Sequence, residues 1–234
     1  MMNTKMNTKN HTSRTAEMHT EVSGQATELV FILDRSGSMS GYEEDAVGGF
    51  NATIEQQRET PGKCFVSAYL FNDAAELVID RKELSDVRKM EKRDYRVGGC
   101  TALIDAIGGG IRHIEEIHRY ARKEDIPAHT IFVIMTDGLE NASHRFSSDE
   151  VKKLIAAKKE CGWEFLFLGA NIDAVETAKH FGIREDRVAN YRQDSAGYKA
   201  SSKSVAKAVM SMRVCGSVAE DWAQEVNEDY RKDR

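Results

Sequence analysis

Three short apolar runs constrain this chain more than any other feature. LVFIL at 29–33, IFVIM at 131–135 and FLFL at 165–168 contain no polar residue and show no alternation. A strand with one face in water alternates apolar and polar residues, so unbroken runs belong to strands covered on both faces. Between them lie stretches of helical spacing, Val47, Phe50 and Ile54 in one and Ile104, Ile107, Ile111, Ile114 and Ile117 in another. Strands that alternate with helices build a mostly parallel sheet between two helical layers.

The expected fold class is therefore α/β, a Rossmann-like three-layer sandwich. One departure is expected. KCFVSAYLFN and AELVIDRKEL follow each other across a tight turn at Asn72-Asp73, which predicts one antiparallel edge strand. Further helices are expected from Ser147 or Ser148 to Gly162, from Asp173 to Gly182, and from about Ser195 to Arg213. Gly108-Gly109-Gly110 inside the Ile-rich helix allow it a close approach to the sheet, or a bend. The main domain is expected over 28–213. A mobile tail over 1–27, rich in Asn, Thr, Lys and Met with a tandem MNTK, precedes it, and a charged segment over 214–234 follows.

The bulk properties exclude several classes. A net charge of -5 argues against nucleic acid or an anionic membrane as partner. No apolar run approaches the length of a membrane span, and the start has no apolar centre of the secretory kind. Cys64, Cys100, Cys161 and Cys215 show no metal-binding spacing and read as free thiols in a reducing, cytoplasmic compartment.

Ligands of such sheets gather at the carboxyl ends of strands, where the strand order reverses. Asp34 and Asp137 each end an apolar run. Three loops can meet there: DRSGSMSG from Asp34, GGCTALIDAI through Thr101, and MTDGLEN through Asp137. Their oxygen-bearing residues are Asp34, Ser36, Ser38, Thr101 and Asp137. Residues two apart in an extended segment face the same way, so Asp34, Ser36 and Ser38 can curl around one ion. An all-oxygen set without His or Cys suits a hard cation, Mg²⁺ or Mn²⁺.

These three motifs, in this order, resemble the von Willebrand factor type A family and its metal-ion-dependent adhesion site, written D-x-S-x-S, then a distant Thr, then a distant Asp. All five positions match, and the likeness covers about 28–213. It is nearest to stand-alone bacterial cytoplasmic members. The resemblance implies that Ser36 and Ser38 bind the ion directly and Thr101 does so when a ligand is engaged. Asp34 and Asp137 would act through water or by orienting the hydroxyls. It further implies a non-enzymatic module whose open coordination position takes an Asp or Glu carboxylate from a partner protein. Met39, Tyr42, Gly99, Cys100, Glu140 and Asn141 are the expected partner-binding rim.

For Asp34, Ser36 and Ser38 alone, a turn with Asx and Ser caps is an equal reading. Thr101 suits a helix N-cap, Asp105 either a loop support or a solvated helix face. A phosphatase of the haloacid dehalogenase type also places an Asp after its first strand, but it needs a second acid where this chain has Ser36. A regulatory or assembly subunit of an ATPase or stress-response complex is the other alternative.

Overall fold

The computed structural model describes residues 25–232. The tandem MNTK and most of the expected tail lie outside the described residues. Thr27, assigned to that tail, instead opens the first strand and is buried.

The chain runs β1 (Thr27–Asp34), α1 (Glu43–Arg58), β2 (Cys64–Phe71), β3 (Ala75–Glu83), α2 (Leu103–Tyr120) and β4 (His129–Thr136). It continues through α3 (Ser148–Glu160), β5 (Trp163–Gly169), α4 (Ala174–His180), β6 (Val188–Asn190), α5 (Ser195–Cys215) and α6 (Gln224–Arg231). The strands form one sheet in the order β3-β2-β1-β4-β5-β6. Neighbours are parallel except β2 and β3, the expected antiparallel edge pair.

The unbroken apolar run of β1 is buried on both sides, as its composition requires. Leu29, Phe31 and Leu33 enter the core beneath α1, α5 and α6, with Phe50, Val209 and Val226. Val30 and Ile32 face the opposite core, with Ile107, Ile111 and Ile114 of α2 and Ile155 of α3. Each such side chain removed from water contributes about 1.5–3 kcal/mol. A Cβ on Gly110 would stand 3.0 Å from Ile32 Cδ1, and one on Gly108 would stand 2.7 Å from the Phe146 ring. These glycines seat α2 close to β1 and to the loop after β4.

Sequence signals set most helix ends. Ser147 and Glu150 form a reciprocal capping box at α3, while Asp173 and Asp194 cap α4 and α5. Gly216, in the left-handed region at φ 73, ends α5. The stretch from 214, expected as a charged segment beyond the domain, turns back onto the same core. Trp222 is buried and donates its indole N–H to the Asp186 carbonyl at 2.9 Å, and Val226 is fully buried. Arg213 is buried too. Its guanidinium donates to the carbonyls of Gln57 at 2.6 Å, Thr60 at 2.9 Å and Gly62 at 2.8 Å, closing the carboxyl end of α1.

Candidate metal centre

β1 and β4 are neighbours at the middle of the sheet, with the chain departing to opposite sides from them. The reversal of strand order falls there. Asp34 is the last residue of β1, and Asp137 follows the last residue of β4. The two carboxylates are thus placed at one crevice by topology.

Hydrogen bonds then organise the oxygen atoms. Asp34 Oδ1 accepts the Ser36 N–H at 2.7 Å, and Oδ2 accepts the Thr136 hydroxyl at 2.5 Å. The hydroxyls of Ser36 and Ser38 lie 3.1 Å apart. Ser38 donates in turn to Asp137 Oδ1 at 2.7 Å. The buried Tyr95 hydroxyl donates to the Asp34 carbonyl, fixing the first loop from below. The Gly37 N–H binds the Gly99 carbonyl at 3.0 Å, joining the first loop to the second. Gly99 has φ 79, in the left-handed region, and a Cβ there would fall 1.8 Å from Asp73 Oδ2, so glycine is favoured.

Thr101 is held by Asn141 in both directions: its N–H donates to Asn141 Oδ1 at 2.8 Å, and the Asn141 N–H donates to its carbonyl at 3.0 Å. A Cβ on Gly138 would stand 3.1 Å from Thr101 Oγ1 and 3.6 Å from Ser38 Oγ. Glycine at 138 therefore leaves a gap bounded by hydroxyls from two loops. Asp34, Ser36, Thr101 and Asp137 are buried, whereas Ser38 is exposed. The site opens to solvent on the Ser38 side.

Burial pushes the Asp34 carboxyl above its ordinary value; hydrogen bonds from Thr136 and Ser36 oppose this, and the Asp137 charge adds to it. Burial likewise pushes Asp137 up, against bonds from Ser38 and Gln193. Two desolvated carboxylates at one crevice make an environment that a divalent cation relieves. Among the described residues no group of three or more His, Cys, Asp or Glu is arranged to hold a metal. A cation here would rest on Ser36, Ser38 and Thr101 hydroxyls backed by Asp34 and Asp137. That donor set fits a hard cation.

The expected rim is only partly a rim. Gly99 and Cys100 are exposed. Met39 is instead buried in the core, where the Tyr198 hydroxyl reaches its sulfur at 3.4 Å. Tyr42 is half-buried, 6.1 Å from the Tyr198 ring. Glu140 is turned inward: Oε2 accepts the Ile104 N–H at 2.8 Å, capping α2, and Oε1 accepts the Ser143 N–H at 2.7 Å. Asn141 is exposed but spends its side chain on Thr101. Asp105 is the loop support: its carboxylate accepts the N–H groups of His144, Arg145 and Phe146 at 2.9–3.0 Å. Residues absent from the sequence reading also join the site. Thr136 binds Asp34, and Gln193, ahead of α5, reaches Asp137. Leu139, beside Gly138, is a large apolar side chain that is 63% exposed.

The family described as VWA domain containing CoxE-like protein matches residues 2–166, more than half of the chain and all five candidate ligand positions. No curated protein matches. Among solved structures, the chain is similar to a von Willebrand factor type A protein from Catenulispora acidiphila, at 15% identity and TM-score 0.57 over 80% of this chain and 43% of that one. It is similar to the vWF domain of the type V pili tip protein Mfa5 from Porphyromonas gingivalis, at 10% identity and TM-score 0.57 over 78% and 95%. It is also similar to proximal thread matrix protein 1 of the mussel byssus, solved with a zinc occupied MIDAS motif, at 14% identity and TM-score 0.55 over 80% and 46%. The chain spans less than half the length of the first and third of these. At such identities the likeness shows the fold.

Proposed function

The chain belongs to the family of VWA domain containing CoxE-like proteins, and from that premise we propose that it is a non-enzymatic protein-binding module that works through a divalent cation. Ser36, Ser38 and Thr101 hold Mg²⁺ or Mn²⁺ through their hydroxyls. Asp34 and Asp137 act through water or by orienting those hydroxyls. The bound cation supplies an electrophilic position for a carboxylate, an Asp or Glu of a protein partner.

The observation that carries this reading is the convergence of three loops on one small gap. The Ser38 hydroxyl is spanned to Asp137, and Gly138 leaves room between Ser38 and Thr101. Mostly neutral hydroxyl donors leave a divalent charge under-compensated, which favours an added anion. Exposed Leu139 beside the gap supplies apolar contact for the segment that carries the acid. Both oxygens of Asp34 are engaged by Ser36 and Thr136, so Asp34 is built to orient rather than to attack. The hydroxyl of Ser36 stands where a phosphatase would need its second acid. Four free cysteines, three of them exposed, support a reducing cytoplasmic setting. Among the described residues no helix is long and apolar enough to cross a membrane.

Titration calorimetry with Mg²⁺ and Mn²⁺ tests the site. Binding should be lost in the Ser36→Ala/Ser38→Ala double variant, and equal binding by both proteins would remove the assignment. A pull-down with and without chelator tests the partner. Capture should vanish with chelator and with Asp137→Ala, and capture indifferent to both would separate recognition from the metal.

A further inference from the structure

We propose that Gln193 is the positioning residue of this metal centre: its side-chain amide fixes the Asp137 carboxylate for cation binding. The inference rests on the reading that Ser36, Ser38 and Thr101 hold the cation.

Gln193 lies between β6 and α5, outside the three motif loops. Its Nε2 donates to Asp137 Oδ2 and, at 3.2 Å, to the Ser38 carbonyl. An ionised carboxylate only accepts, so the amide nitrogen must face it. The other end of the amide accepts from Asn171 Nδ2, in the loop after β5. Ser38 already occupies Asp137 Oδ1. Both oxygens of Asp137 are thus oriented, one from the first motif loop and one from the far side of the sheet. Gln193 also bridges the first and third loops by touching both Ser38 and Asp137.

The backbone that delivers Gln193 is fixed on both sides. Arg192 grips Asp229 of α6 with two bonds, at 2.9 Å and 3.0 Å. Asp194 caps α5 by accepting the Gly197 N–H at 2.7 Å. A Cβ on Gly197 would fall 2.0 Å from the Arg192 carbonyl oxygen, so the turn is packed against the helix start. A neutral amide held this firmly orients an acid without competing for the cation. Hydrogen-bonding partners of metal-site acids typically set affinity by about 10–100-fold.

The test is Mg²⁺ and Mn²⁺ calorimetry, paired with the metal-induced change in melting temperature, on wild type, Gln193→Ala and Gln193→Glu. The expected result is that Gln193→Ala binds about 10–100-fold more weakly. Gln193→Glu sets a second carboxylate against Asp137. It should melt lower without metal and, having no N–H to give Asp137, bind about as weakly as Gln193→Ala. Wild type that binds while Gln193→Ala binds equally overturns this inference alone. Tighter binding by Gln193→Ala overturns it too and makes the amide a competitor. Gln193→Glu that binds as tightly as wild type shows that no donor to Asp137 is needed, and also overturns it. Wild type that binds neither metal overturns the inference together with the reading it rests on.

Discussion

Thr136 donates its hydroxyl to Asp34 across 2.5 Å, tying the last residue of β4 to the last residue of β1. The pair converts strand order into site geometry, because it holds the ends of the two central strands at one height. Replacing Thr136 with Val keeps the shape and removes the donor, so Asp34 loses a bond that opposes the effect of burial. Divalent affinity should fall about tenfold. Manganese calorimetry on Thr136→Val measures it, and wild-type affinity in that variant would show that Asp34 needs no such support.

Gly138→Ala addresses the gap itself. The backbone there accepts alanine, but the new Cβ lies 3.1 Å from Thr101 Oγ1 and 3.6 Å from Ser38 Oγ. The variant should fold normally, with a stability change of about 1 kcal/mol or less, and lose metal binding. A variant that melts like wild type and still binds Mg²⁺ would place the cation elsewhere.

Asp105 links stability to pH. Burial raises its carboxyl, but the N–H groups of His144, Phe146 and Arg145 together outweigh that and hold it below its ordinary value. A depressed acid contributes stability above its unfolded value, and loses it as pH falls through the folded one. Asp105→Asn should therefore lose about 2 kcal/mol at neutral pH, as expected for bonds to a buried charge. The gap from wild type should close in strong acid. Urea unfolding at pH 7 and at a series of pH values falling below 4 follows the gap, and a gap that stays constant down the series would contradict the assignment.

Arg213→Met leaves the carbonyls of Gln57, Thr60 and Gly62 without their buried donor. The expected loss is about 3 kcal/mol. Arg213→Lys should recover only part of it, because one ammonium cannot span three carbonyls as a planar fork does. Chemical denaturation of both variants decides this, and full rescue by Lys would reduce the role of Arg213 to charge alone.

The elements legible in the sequence are those whose signal is local. β1, β4 and β5 are unbroken apolar runs, and Asp34 and Asp137 end two of them. β6 is only Val188–Asn190, too short to register as a run. Met39 sits in the polar string SGSMSG and looks exposed; its burial depends on Tyr198, 159 positions away. Glu140 looks like a free acid on a loop, and becomes a cap only when α2 is placed beside it. Gln193 carries no local signal, since its partner Asp137 lies 56 positions earlier. The C-terminal segment did carry a signal under its charges. Val218, Trp222 and Val226 are large apolar residues spaced among the charges, and all three are buried, although only Val226 lies in a helix.

The return of the chain past Gly216 has a consequence for any cut made there. A nick between 216 and 221 would free Trp222 from the core and Asp229 from Arg192 in one event. Arg192 is the immediate neighbour of Gln193, so damage at the end of the chain would be felt at the opposite pole of the sequence, where Ser38 receives Gln193's amide. Helix α6 acts as an anchor line whose release slackens the crevice between Asp34 and Asp137.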